Sequence, residues 1–355
     1  MGVPEYFPAK WARAKPCFGR GVLVLAILAI GWTVGAAPAA AQSTVKVALN
    51  WKFEGVATPY VLALDKGYYG AQGLDVSIEQ SANSQEAVTR VASGAFDMGV
   101  ADLGTLIRFR DQNPQAAVKA VFIVHDMPAL SIVGRRSRGV SKPSDIEGKK
   151  LGAPAADLAF AVWPAFARLN GIDVAKVTIL NVGPPVREPM LASGEIDAFT
   201  GISFTSYVNL KDRGVPVDDI TIMLMGEYGV KLYGDAILVN GKFAAEHPGV
   251  VKAFLQGFLR GLKETIAKPV PSVEAILRRN EDAKRETEVE RLRMAIAQNI
   301  LTPNVKAQGI GGVDQARLEI AIEQLAAVHV LKAKPKAAEI FDPSFLPHLF
   351  DRKIE

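Results

Sequence analysis

The chain predicts an α/β protein of two doubly wound lobes joined by a two-segment hinge, and three observations carry that prediction. First, one local pattern occurs twice, a hundred positions apart: Ala92-Ser93-Gly94-Ala95-Phe96-Asp97 and Ala192-Ser193-Gly194-Glu195-Ile196-Asp197. Each follows an amphipathic stretch and leads into a short apolar run, so each reads as helix, left-handed glycine, buried strand. Second, strand and helix patterns alternate over 45–124 and again over 150–225, the signature of parallel sheets with crossover helices. Third, a lone strand at 236–239 is followed only by helices, so the first lobe holds both ends of the chain and the second is inserted between.

In the first lobe Val45 to Leu49 alternates as a strand, and Thr58-Pro59 opens a helix over Tyr60–Lys66, with proline near the first turn where its missing N–H costs nothing. Gly67 ends that helix and Leu74–Ile78 is the next strand. Gln85–Ser93 is a helix closed by Gly94, followed by a strand at Met98–Ala101 and a helix at Leu103–Asp111. Val118–Val124 is almost continuously apolar, as expected of a parallel strand buried on both faces.

A basic stretch, Arg135 to Pro143, intervenes before the second lobe. There the strands fall at Lys150–Ala153, Val177–Val182, Ala198–Ile202 and Thr221–Met225, and the helices at Leu158–Leu169, Arg187–Ser193 and Tyr207–Arg213. The return strand Ala236–Val239 precedes helices at Val250–Ala267, Val273–Arg279, Thr287–Ile300 and Gln315–Val328. The expected domains are 42–133 and 235–355 for the first lobe and 134–234 for the second, with hinge crossings near 127–135 and 226–236.

Residues 1–41 read as an export signal. Lys10, Arg13, Lys15 and Arg20 precede an apolar core at Val22–Ile30, and Ala39-Ala40-Ala41 supplies an A-x-A cleavage site before Gln42. The single cysteine, Cys17, lies ahead of that core, so the mature chain is expected to have no disulfide and no thiolate metal site. Removing the four basic and one acidic residues of this segment lowers the net charge from +4 to +1. With acids and bases nearly balanced and no basic run carrying interleaved aromatics, no nucleic-acid partner is expected.

Enzyme signatures are missing. The sequence has no P-loop, no H-E-x-x-H, no G-x-S-x-G elbow and no mature cysteine, and its histidines (125, 247, 329, 348) lack metal-ligand spacing. Catalytic residues, cofactors and metals are therefore all expected to be none. Binding candidates come from topology, because open α/β sheets hold ligands beyond the carboxyl ends of their strands. Those ends supply Asn50, Trp51, Glu54, Ser84 and Asp102 in the first lobe, with His125 and Asp126 beyond the last strand. His125 reads more simply as an ordinary hinge-side histidine. From the second lobe and the return crossing, Asp157, Thr200, Phe204 and Tyr228 are expected to close over the ligand. Ser84 and Asp157 are equally suited to cap their own helices. Trp51 and Tyr228 suit stacking on a planar ligand, each contributing about 1–3 kcal/mol by analogy with base stacking. Glu54, Asp102 and Asp157 favour a neutral or cationic heterocycle, while Arg187 leaves a sulfonate, carboxylate or nitrate-like anion as the alternative.

Leu49-Asn50-Trp51, Asp65-Lys66-Gly67-Tyr68-Tyr69, Gly73-Leu74-Asp75-Val76, Asp145-Ile146-Glu147-Gly148-Lys149-Lys150-Leu151-Gly152 and the two Ser-Gly-x-x-Asp copies resemble ABC-transporter substrate-binding proteins of the nitrate/sulfonate/taurine class. The branch is similar to thiamine-pyrimidine synthases and pyrimidine-precursor binding proteins. The resemblance implies a type II periplasmic binding protein fold, a small-molecule ligand, delivery to an inner-membrane ABC permease, a periplasmic location and a monomer; a receptor that reports to a membrane sensor is the variant of this reading. It also sets a synthase against the chain. The enzyme's cofactor lysine would fall at Ala101, its histidine near Thr105 and its cysteines around Tyr228–Ala236, and this sequence offers none of them, so a pyrimidine-precursor receptor without catalysis is expected.

Overall fold

The structure, a computed structural model, describes residues 42–155, 157–328 and 331–354 together with Gly2. The signal segment and its Ala39–Ala41 motif, with Ala156 and His329, lie outside the described residues. Two five-stranded sheets run through the chain from Ala41 on. In the first, β1 (Ser43–Leu49) pairs in parallel with β2 (Leu74–Gln80) and β3 (Met98–Asp102), and β4 (Val118–Ile123) lies at the far edge. In the second, β6 (Lys150–Ala153) pairs in parallel with β7 (Thr178–Asn181) and β8 (Ala198–Ile202), and β9 (Ile220–Leu224) is the far edge. The remaining strands, β5 (Leu130–Arg135) and β10 (Asp235–Asn240), each enter a sheet at a crossing. β5 runs antiparallel between β8 and β9, and β10 antiparallel between β3 and β4.

Both sheets are therefore mixed, not purely parallel as the alternation of elements predicts. The segment 130–135 is a strand rather than a hinge, because its apolar residues fill the second sheet: Ile132 and Val133 are fully buried. The two sheets share one strand order, β2-β1-β3-β10-β4 against β7-β6-β8-β5-β9. The repeat seen in the sequence has the same work in both. Gly94 and Gly194 take φ of +78° and +86°. Asp97 accepts the Lys46 N–H at 2.7 Å and Asp197 the Lys150 N–H at 2.9 Å. Each aspartate thus seals the backbone donor that comes just before the central strand begins to pair with β3 or β8, a group that no ladder partner satisfies.

The crossover helices are α1 (Thr58–Asp65), α2 (Ser84–Ala92), α3 (Leu103–Gln112), α4 (Leu158–Ala161), α5 (Trp163–Leu169), α6 (Pro184–Ser193) and α7 (Ser203–Asp212). The helix expected over 158–169 is broken between α4 and α5, where Pro164 has no N–H to continue the ladder. After β10 come α8 (Gly241–Glu246), α9 (Pro248–Ala267), α10 (Pro269–Ser272), α11 (Glu274–Leu277), α12 (Arg285–Ala295), α13 (Pro303–Gln308) and α14 (Gln315–Val328). α12 ends in a π-helical turn, Ile296–Ile300. It packs on α7 and on the turn at Gly55–Ala57, while α14 packs on α3 and α5, so both helices touch elements of both sheets. Among the described residues no helix is long and apolar enough to cross a membrane.

Candidate functional site

The carboxyl ends of the central strands converge on a cluster of acids. The antiparallel register of β10 on β3 sets Asp235 directly opposite Asp102. Their carboxyl groups are in hydrogen-bonding contact. Asn50, just beyond β1, donates to Asp235 at 2.9 Å, and Ser84 donates to Asp102 at 2.9 Å. Asn83 caps α2 by accepting the Glu86 N–H. Ser84 is therefore released from the capping role and its hydroxyl joins Asn50 and Asp102.

Asp157 approaches from the other sheet. It caps α4 through the Ala159 N–H at 3.1 Å, and its second oxygen lies 3.5 Å from Arg187 Nη1. Arg187 also donates to the Thr200 carbonyl at 3.3 Å and to buried Glu188 at 3.1 Å. Its charge is met within the protein, which weakens the anion alternative read from the sequence. The Thr200 hydroxyl is buried and has no hydrogen-bond partner.

Burial dominates the electrostatics. It pushes the Asp102 carboxyl up to about 8, with the charge of Asp235 adding to the effect and Asp157 contributing less. Asp235 is pushed up to about 6, again by burial, against the opposing Asn50 hydrogen bond. Physically the two share one proton, carried by Asp102 and donated to Asp235. Asp157 is raised by burial and partly restored by Arg187. His125, read above as an ordinary hinge-side histidine, places Nδ1 3.5 Å from Asp235, and burial pushes it down to about 4, so it is neutral.

Four of the nine expected residues, Asn50, Ser84, Asp102 and Asp157, meet at this cluster, with Thr200 joined to it through Arg187. Phe204 stands edge-on to His125 at a ring distance of 6.2 Å and packs against Ala129 and Ala295. Trp51 and Glu54 belong to a second cluster: Trp51 lies beside Glu54, and Glu54 lies 3.2 Å from Arg291 on α12. Tyr228 sets its ring edge-on to Phe166 at 5.8 Å, and its carbonyl accepts from Asn170. Its described contacts are with α5, not with the acids. Asp235 and His125 join the site through long-range pairing; an aspartate opening the return strand was the signal available for the first.

The facing tips touch. A methyl group added at Gly104 would lie 2.9 Å from Leu158 Cδ2, so the lobes are closed over the acids. Two cavities of about 390 and 430 Å³ lie elsewhere, one bordered by α13 and the 338–352 segment, the other by Arg110, Ala117 and Phe345. Among the described residues no group of His, Cys, Asp and Glu is placed to hold a metal ion.

A profile of the family described as NMT1/THI5 like matches residues 55–272. A formylaminopyrimidine-binding protein of Halalkalibacterium halodurans is 26% identical over 90% of this chain and 95% of its own. The riboflavin-binding protein RibY of Chloroflexus aurantiacus is 23% identical over 81% of this chain and 82% of its own. A 4-amino-5-hydroxymethyl-2-methylpyrimidine phosphate synthase of Schizosaccharomyces pombe also matches, at 24% identity over 62% of this chain and 65% of its own. In fold, the periplasmic aliphatic sulphonate binding protein SsuA of Escherichia coli superposes with a TM-score of 0.68 at 11% identity, covering 86% of this chain and 94% of that one.

Proposed function

Since this chain belongs to the NMT1/THI5-like family, we propose that it is the solute-binding component of an ABC importer, exported to the periplasm after cleavage near Ala41–Gln42. It captures a small organic nutrient, a pyrimidine or thiamine-precursor-like heterocycle, by hinge closure and presents it as a monomer to an inner-membrane permease. The observation that carries the reading is the meeting of Asp102 and Asp235 from one sheet with Asp157 from the other, across two chain crossings. Contacts made only when the lobes are closed are what let a ligand shift a hinge equilibrium. The relatives that bind a formylaminopyrimidine and riboflavin support a nitrogen heterocycle.

The reading excludes catalysis on chemical grounds. Ala101 and Thr105 stand where the resemblance to the synthases puts a cofactor lysine and a histidine, and neither forms an aldimine or supplies ring atoms. A thermal-shift screen of pyrimidines, vitamins and sulfonates tests the ligand class. Stabilisation by aminopyrimidines is the expected result, and stabilisation by sulfonates alone would reverse it. Pyridoxal phosphate added to the purified protein is expected to produce no aldimine absorbance.

A further inference from the structure

The receptor reading leaves open how the ligand is told from others of its size. Resting on that reading, we propose that Asp102 and Asp235, faced by Asp157, form a charge-selecting element that holds a compact nitrogen base in its protonated, amidinium-type form.

The site is built for such a cation. Asp102 and Asp235 are each anchored by a side-chain donor, Ser84 and Asn50, so their carboxyl planes are set before ligand arrives. Asp157 is anchored by the first turn of α4. Among the described residues Arg187 is the cation facing the group, and it is engaged by Glu188, Asp157 and the Thr200 carbonyl, while His125 is neutral. An arriving positive charge therefore finds acceptors and, among the described residues, no competing free cation.

A separate observation points to a missing partner. The hydroxyls of Thr200 and Tyr60 are buried without any hydrogen bond, in residues 0% and 4% exposed. Tyr60, on α1, lies within electrostatic reach of Asp235: burial first and that carboxylate second hold its proton in place. Buried hydroxyls are normally satisfied, and the Tyr60 orphan beside Asp235 marks where a ligand's polar edge fits.

The proton balance is simple. A neutral base takes the proton that Asp102 shares with Asp235; the O–H bond breaks, a ring N–H bond forms, and an amidinium faces two carboxylates. No proton is exchanged with solvent while the empty pair keeps its own. Above about pH 8 the empty pair has lost that proton, the ligand must bring one from solution, and affinity falls about tenfold per pH unit. Below the ligand's own pKa a proton must be released instead, and affinity falls on that side too.

Calorimetric titration between pH 5 and 9.5 tests this with 4-amino-2-methylpyrimidine, and with 2-methyl-4-pyrimidinone as a probe of equal size that is not basic. A bell-shaped affinity for the first, at least tenfold over the second at pH 7, is expected. Asp102→Asn should lose at least tenfold in affinity, and its alkaline fall should begin at the ligand's own pKa instead of near pH 8, while Asp157→Asn should bind more weakly and keep the fall near pH 8. Equal affinities for the two probes, or a pH-independent affinity, would overturn the proposal and leave the receptor standing. Binding by neither probe also overturns it; the wider solute screen then decides the receptor reading separately.

Discussion

Asp102 and Asp235 hold a proton in the folded protein that the unfolded chain has released, and this sets the sign of the pH response. Raised carboxyls contribute stability at low pH that is lost as pH rises from about 4 to 8. Asp157 and Glu54, also raised by burial, act in the same direction. His125 opposes them between about pH 4 and 6.5, since there the unfolded chain binds the extra proton. Above pH 6.5 His125 no longer opposes the carboxyls. The ligand-free protein is therefore expected to lose up to about 1.4 kcal/mol per pH unit for each shared proton between pH 6.5 and 8. Urea melts along a pH series check this, and Asp102→Asn should show a visibly shallower slope; an unchanged slope would place the proton elsewhere.

At the scale of elements, the duplicated turn and the α12 strap make separate predictions. Gly94 sits at φ +78°, and a methyl group added there would meet only Asn240 Nδ2, at 3.8 Å. Gly94→Ala thus brings backbone strain without a clash and should cost about 1–2 kcal/mol. Gly194→Ala adds contact with the Arg138 guanidinium, a flexible group, and is expected to cost somewhat more. On α12, Arg291 is 4% exposed and donates to Glu288, whose carboxylate also accepts the Gly55 N–H. Glu54 lies beside it. Arg291→Met leaves two buried carboxylates without their cation and should destabilise the protein by about 3–5 kcal/mol. Adding Glu288→Gln should recover part of that loss, and equal melting of single and double variants would refute the coupling. Just beyond, the π-turn exchanges hydrogen bonds with the crossing: Met127 N–H donates to the Asn299 carbonyl, and the Asn299 amide donates to the Met127 carbonyl.

For the whole molecule, the closed arrangement must open to admit a ligand. The α12–α7 contacts that span the two sheets include the exposed pairs Lys211–Glu290 and Lys284–Asp212. Exposed pairs contribute at most about 1 kcal/mol and weaken with salt, so they bias closure without locking it. Small-angle scattering is expected to show a smaller radius of gyration with a bound aminopyrimidine than without, and a ligand-free radius that grows with ionic strength. Identical radii in every condition would mean that the lobes do not hinge.

Much of this architecture is legible in the sequence because it is local. Ala198–Ile202 and Gln315–Val328 are legible to the residue, since strand alternation and helical periodicity are written in neighbouring side chains. The twin Ser-Gly-x-x-Asp turns are equally legible, because a left-handed glycine and a capping aspartate need only a few residues. The antiparallel entry of β5 and β10 is not, and with it the sequence hides the place of Asp235 in the site and the pairing of His125 with it. Which strand lies beside which is settled by sheet packing between segments far apart in the chain, and only that pairing sets Asp235 against Asp102. The local sequence thus determined the elements and the acids at their tips; tertiary structure alone decided which acids share a proton, because proximity across a sheet has no signature in the chain on either side.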